Sequence, residues 1–291
     1  MKPLLLLLCA IGSAGTPLLA SETFTIWPDG APGALGGEAK DKPTLTVMMP
    51  TKVGDGLIPA VLMTPGGGYK HHSSAGPMAQ FFRDHGFVVF YLKYRLPTAG
   101  YRHPAPWNDA QRAMRIIRSE TANRKLDPKR IGVIGFSSGG HVATTLITHT
   151  FDGDTDSVDP IERHSCRPDF AVLFCPVVSM TDHPHRPSVV RLLGPDPTPQ
   201  LLRELSNELH VTKNTPPTYL AHAEDDGLVP VENSKLLHAA LREKKIATHL
   251  DLHTAGNHGF FGSPGSAAKW QPPLKKWLVE MRVFKRTQNA K

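Results

Sequence analysis

Short apolar runs alternate with longer amphipathic stretches along most of the chain. Seven runs have strand length and are rich in Val, Ile, Leu and Phe: residues 45–49, 58–63, 87–92, 131–135, 170–175, 218–222 and 248–252. They alternate little between apolar and polar positions, the pattern of strands covered on both faces. Helical spacings lie between them, at residues 75–84, 138–148, 231–244 and 267–284. In a further one, Ala110, Ala113, Met114 and Ile117 recur behind Asn108 as an N-cap. Strand then helix, repeated, predicts an α/β fold with a mostly parallel central sheet and helices on both faces. The opening strands have no helix between them, which predicts an antiparallel edge. No linker-like break follows residue 20, so residues 21–291 read as one domain. Two polar or proline-rich stretches, 150–168 and 176–217, are expected to lie over the C-terminal edge of the sheet and shape a substrate site.

Of 291 residues, 40% are hydrophobic and 20% charged, enough apolar mass for a large core and too much for a disordered chain. The net charge of +7 would suit a nucleic-acid partner. However, the basic residues come as scattered pairs among acids (Lys244-Lys245, Lys275-Lys276, Lys285-Arg286), so no nucleic-acid surface is expected. Residues 1–20 read as a secretory signal peptide: Lys2, an apolar run from Leu4 to Ile11, then small residues from Gly12 to Ala20. The run is too short to span a bilayer, which takes ~20 residues. Export to the periplasm or medium is therefore expected, without stable membrane insertion. Cys9 follows Leu8 where a lipoprotein signal would want a small residue, which disfavours a lipid anchor. Cys166 and Cys175 are separated by an extended run of ~25 Å or more. A disulfide needs less than about 7 Å between Cα atoms, so both read as free thiols, with Cys175 buried.

The chemistry centres on Gly135-Phe136-Ser137-Ser138-Gly139. A strand-like run precedes it and a helix-like run follows, the context of a nucleophile elbow, in which a strained turn lifts a serine hydroxyl above a sheet. A serine hydroxyl needs a base, and the base an orienting acid. Later loops, each following a strand, supply Asp225 and Asp226 and then His258 between glycines; Glu224 lies too early, and His249 and His253 fall on a strand. The glycines of Thr64-Pro65-Gly66-Gly67-Gly68-Tyr69, with the N–H of Ser138, suit an oxyanion hole. That loop lacks the Lys-Ser/Thr ending of a P-loop. Tyr69, His71 and His72 follow it and are candidates to line a substrate cleft. Trp107, Asp109 and Arg112 read as packing residues beside the elbow. His183 and His185 read as scattered surface histidines. No metal-ligand spacing occurs, and no metal or cofactor is called for.

These residues resemble the α/β-hydrolase superfamily, in particular secreted bacterial esterases of the acetylxylan-esterase-like and feruloyl-esterase-like kind. The resemblance rests on Ile26-Trp27-Pro28-Asp29-Gly30-Ala31-Pro32-Gly33, Pro65-Gly66-Gly67-Gly68-Tyr69, Tyr94-Arg95-Leu96, His103-Pro104-Ala105-Pro106, the elbow through His141, and Thr215-Pro216-Pro217. It implies an α/β-hydrolase fold and Ser137, Asp226 and His258 as nucleophile, acid and base. Asp226 is favoured over Asp225 by the Asp-x-x-Val-Pro spacing usual in that loop. The triple glycine is similar to the His-Gly-Gly-Gly of hormone-sensitive-lipase-like esterases, with Pro65 in place of the histidine, and implies Gly67 and Gly68 as oxyanion donors. The implied activity is hydrolysis of short acyl esters, acetyl foremost, on carbohydrates such as hemicellulose. The alternatives are a general short-chain carboxylesterase, a feruloyl-type esterase, or a non-catalytic binding protein of the same fold.

Overall fold

The structure, a computed structural model, describes residues 21–54, 56–74, 76–262 and 265–284. The expected signal segment, with Cys9, lies outside the described residues. Eight strands are seen among these: β1 (Glu22–Thr25), β2 (Thr44–Met48), β3 (Ile58–Thr64), β4 (Val88–Lys93), β5 (Leu126–Phe136), β6 (Phe170–Phe174), β7 (Thr218–Ala223) and β8 (Thr248–His253). They form one sheet in the order β1-β2-β4-β3-β5-β6-β7-β8. β1 and β2 pair antiparallel at one edge, and every pairing from β4 through β8 is parallel. This is the expected α/β-hydrolase fold. The strand β1 was not legible in the sequence, because its four residues are mostly exposed.

The helices are α1 (Gly76–Asp84), α2 (Ala105–Ser119), α3 (Ser137–Thr148), α4 (Arg186–Leu193), α5 (Pro199–Glu204), α6 (Glu232–Glu243) and α7 (Ala267–Glu280). Side chains alternate along the inner strands between two apolar layers. Leu62, Val133, Leu173 and Leu220 meet Ala113 and Ile117 of α2, Val142 and Leu146 of α3, and Leu237 and Leu241 of α6. Val61, Met63, Ile134 and Val172 meet Met78 and Phe82 of α1 and Trp270 and Leu274 of α7. Both faces are therefore covered, which is why the strands read as continuous apolar runs.

Two helix boundaries differ from expectation. α2 starts at Ala105, three residues before the expected Asn108 cap, since Pro106 is tolerated in a first turn where the missing N–H has no helical partner. α7 ends at Glu280 rather than Phe284, and Arg282 turns left-handed just beyond it (φ 59°).

The stretch 150–168 is also corrected: it does not wall the C-terminal edge. It runs along α2, where Arg112 pairs with Asp159 and Glu162 and Arg115 with Glu162, and it ends beside the middle of β5, where the Asp169 carboxylate accepts the Ile131 N–H. The stretch 176–217 carries α4 and α5 and does reach the site. Beneath it, the fully buried Arg95–Asp109 pair binds Trp27 Nε1 and the Pro32 carbonyl, tying the N-terminal segment, α2 and the loop after β4 together. Cys166 and Cys175 are free and buried. Among the described residues no helix is long and apolar enough to cross a membrane.

Candidate active site

Ser137 sits between the end of β5 and the first turn of α3 with φ 53°, a left-handed conformation that a non-glycine residue adopts only under strain of roughly 1–3 kcal/mol. The surrounding packing imposes it. A Cβ on Gly139 would lie 2.2 Å from the Thr64 carbonyl oxygen, and one on Gly135 would lie 2.6 Å from that of Gly139. The two glycines therefore let β3, β5 and α3 close on one another and force the serine outward.

Ser137 Oγ lies 2.9 Å from His258 Nε2, and His258 Nδ1 lies 2.7 Å from Asp226 Oδ2. A carboxylate can only accept there, so Nδ1 carries the proton and Nε2 is left bare toward the serine. Asp226 is itself held on every side. Its Oδ1 accepts the N–H groups of Leu228 and Val229, both at 2.9 Å, and its Oδ2 also accepts from His222 Nε2 at 3.1 Å. Burial alone would push the Asp226 carboxyl up. Hydrogen bonds from His222, His258 and Val229 outweigh it and hold the carboxyl well below the usual carboxylate range.

Asp225 has a different place. Its exposed carboxylate accepts the N–H groups of Gly256 and Asn257, shaping the turn that carries His258. Asn257 (φ 53°) bridges the two loops, its side-chain oxygen accepting from the N–H groups of Gly227 and His258. His222 was not among the expected site residues. The only signal for it was a histidine at the end of a buried strand, four residues before the acid.

Above the serine, the N–H groups of Gly67 (φ 123°) and Gly68 (φ 60°) have no protein acceptor among the described residues. Ser138 stands at the N-terminus of α3, where backbone N–H groups are unpaired. The absent histidine of the related loops is replaced by other braces. The Pro65 carbonyl accepts from Tyr94 Oη at 2.8 Å, the Tyr69 N–H donates to Ser138 Oγ at 3.2 Å, and Arg191 Nη1 of α4 donates to the Gly68 carbonyl at 2.8 Å.

Tyr69 is a correction. Its φ of 59° swings the ring beneath the loop, where it is buried and bonded through its hydroxyl to His141 Nδ1 at 2.8 Å, so its side chain does not line a cleft. His141 Nε2 donates to the Leu205 carbonyl, which leaves Nδ1 as acceptor, and burial lowers the His141 pKa to about 4. His71 is exposed beside Gly67, while His72 is half-buried edge-on against Tyr94. His183 is exposed, but His185 is no scattered surface residue: it borders Gly68.

Among the described residues, Cys175, Asp226 and His258 place ligand-type atoms within 4.8 Å of one another. The His258 and Asp226 atoms are engaged with each other. Burial, with Asp226 beside it, pushes the Cys175 thiol well above its usual range, and the thiol donates to the His258 carbonyl. The donor set is that of a hydrogen-bonded relay rather than of open ligands.

Residues 45–241 match the BD-FAE family, more than half of the chain. The chain belongs to that family. Relatives of this chain include endo-1,4-beta-xylanase B of Butyrivibrio fibrisolvens, 37% identical over 205 residues, covering 68% of this chain and 32% of that protein. Acetylxylan esterase of Xylanibacter ruminicola is 32% identical over 213 residues, covering 70% of this chain and 42% of that protein. The chain thus spans less than half the length of either. Among solved structures, the acetyl ester-xyloside bifunctional hydrolase of Caldicellulosiruptor lactoaceticus superposes with a TM-score of 0.84 at 33% identity, covering 93% of this chain and 100% of that one.

Proposed function

We propose that this BD-FAE protein is an exported serine esterase that removes short acyl groups, acetyl foremost, from carbohydrates. The observation that carries the reading is the hydrogen-bonded chain Ser137–His258–Asp226, set on a strained elbow beneath two unpaired glycine N–H groups. Export rests on the N-terminal sequence, and the carbohydrate on the relatives that act on xylan or xylosides.

In the proposed reaction Ser137 Oγ attacks the ester carbonyl carbon and its proton passes to His258 Nε2. Asp226 accepts the Nδ1–H bond throughout and stabilises the imidazolium. The carbonyl oxygen becomes an oxyanion bonded by the N–H groups of Gly67, Gly68 and Ser138; each such donor is worth about 3 kcal/mol in comparable sites. The C–O bond to the alcohol breaks, and His258 returns its proton to the leaving oxygen. Water then attacks the acyl-serine with His258 again as base, releasing the carboxylic acid and free Ser137. Every proton transfer runs between protein groups, substrate and water.

Wild-type protein should release acetate from acetylated xylooligosaccharide, and a fluorophosphonate should label Ser137. S137A should fold and lose the activity by about 10⁴ or more. Retention of a tenth of the activity by S137A would remove Ser137 as nucleophile. A specificity constant that climbs along aryl esters to octanoate, with no acetate released from the sugar, would leave the serine mechanism and sink the carbohydrate. An unlabelled wild-type protein with no esterase activity would favour the binding-protein alternative.

A further inference from the structure

The helix α4 leans over the oxyanion loop and brings two side chains to one place. Arg191 latches it there through the Gly68 carbonyl at 2.8 Å. His185, at the N-cap of the same helix, lies with its ring edge against Gly68: a Cβ built on that glycine would stand 3.9 Å from His185 Cε1. The ring does not swing freely. Its Nδ1 is bonded at 2.7 Å to Oγ of the fully buried Ser188, and the His185 carbonyl accepts the Ser188 N–H at 2.9 Å. The chain leading to it is pinned as well, because Asn233 donates to the His183 carbonyl and accepts from the N–H groups of Val178 and Ser179. What remains is Nε2, which has no protein partner among the described residues. A fixed imidazole with one free nitrogen beside an oxyanion loop is a preorganised polar contact. Burial first, then His258 and Arg191 nearby, lowers the His185 pKa.

Which part of a substrate it meets follows from the geometry of the adduct. On Ser137 the oxyanion lies at Gly67 and Gly68 and the leaving oxygen lies at His258. A side chain that borders Gly68, with His258 and Asp226 close by, therefore stands beside the leaving alcohol. We propose that His185 is a specificity-determining residue whose Nε2 hydrogen-bonds a hydroxyl on the carbon next to the ester-bearing carbon of the alcohol. This rests on the serine-esterase reading of the same site. It selects polyols and sugars, whose neighbouring carbons carry such hydroxyls, over simple alkyl alcohols.

The test compares esters that differ only in that hydroxyl: 2-hydroxyethyl acetate against ethyl acetate, with acetylated xylooligosaccharide beside them. Wild type, H185A and H185Q are assayed for kcat and KM. In H185A the loss of kcat/KM on 2-hydroxyethyl acetate should exceed the loss on ethyl acetate by about tenfold, the worth of one good hydrogen bond. H185Q should recover most of it, because an amide nitrogen or oxygen reaches the same position. Equal losses on the two esters, with or without rescue, would overturn the proposal and leave His185 as a prop for the loop. No loss on either would overturn it as well. A wild-type enzyme inactive on the sugar but active on both small esters would defeat the carbohydrate reading alone, and the hydroxyl comparison would still decide the role of His185.

Discussion

Replacing Asp226 by asparagine keeps the shape of the side chain and reverses half of its hydrogen bonding. In the wild type both carboxylate oxygens accept, Oδ2 from His258 and His222 and Oδ1 from the N–H groups of Leu228 and Val229. The amide must turn its NH₂ toward one of these pairs. Toward Leu228 and Val229 it faces two backbone donors that cannot change. Toward the histidines it faces the His258 ring, which can change tautomer, and a His222 N–H that keeps the Val229 carbonyl as acceptor at 3.0 Å, so that orientation wins. His258 then accepts at Nδ1 and carries its proton on Nε2, pointing at Ser137, where it can no longer serve as base. A wrong tautomer of this kind lowers kcat by about 10⁴ in serine hydrolases, equivalent to about 5 kcal/mol of barrier. D225N is the control. Asp225 holds the turn before His258 through two exposed backbone N–H groups, and an asparagine retains one acceptor for them, so its loss should stay within about tenfold. The assay is kcat and KM on 4-nitrophenyl acetate, with circular dichroism to confirm folding. A D226N enzyme within a hundredfold of wild type, or a D225N enzyme weaker than D226N, would refute the tautomer argument.

Two further outcomes follow from the braces around the site. R191A should lower kcat about tenfold with little change in KM, since it frees the Gly68 peptide while leaving the cleft open; millimolar guanidinium should restore part of the rate, and an unchanged kcat would show that the loop holds itself. Acid should destabilise the fold through His141, whose folded pKa of about 4 lies below the 6.5 of a free histidine. The unfolded chain takes up that proton first, so its contribution, roughly 3 kcal/mol, is whole above about pH 6.5 and lost as the pH falls toward 4. The melting temperature of H141Q should drop less between pH 7 and 4.5 than that of wild type, and equal drops would show that other groups set the acid limb.

The parts of the site that were legible in the sequence are those whose geometry is local. An elbow needs small residues two positions either side of the serine, because β3, β5 and α3 approach there, and that demand is written in five consecutive residues. His258 could be picked out because its loop follows a strand and offers glycines. Asp226 was favoured over Asp225 by a spacing, and the structure bonds Asp226 rather than its neighbour to His258. The burial of Tyr69 was not legible, since the left-handed turn that sends its ring toward His141 depends on a helix 72 residues away.

By itself the sequence determined the alternation of strand and helix, and hence the sheet, its two covered faces and the elbow, because apolar periodicity and glycine placement act within a few residues. Tertiary structure alone decided what surrounds the serine. Arg191 reaches Gly68 across 123 residues of chain, and His222 supports the acid from the core of β7. The stretches 150–168 and 176–217 both interrupt the strand–helix alternation, yet one is held along α2 by ion pairs and the other carries α4 over the oxyanion loop. Such contacts depend on where two distant segments are brought by the packing of the whole core. No local pattern of residues encodes that.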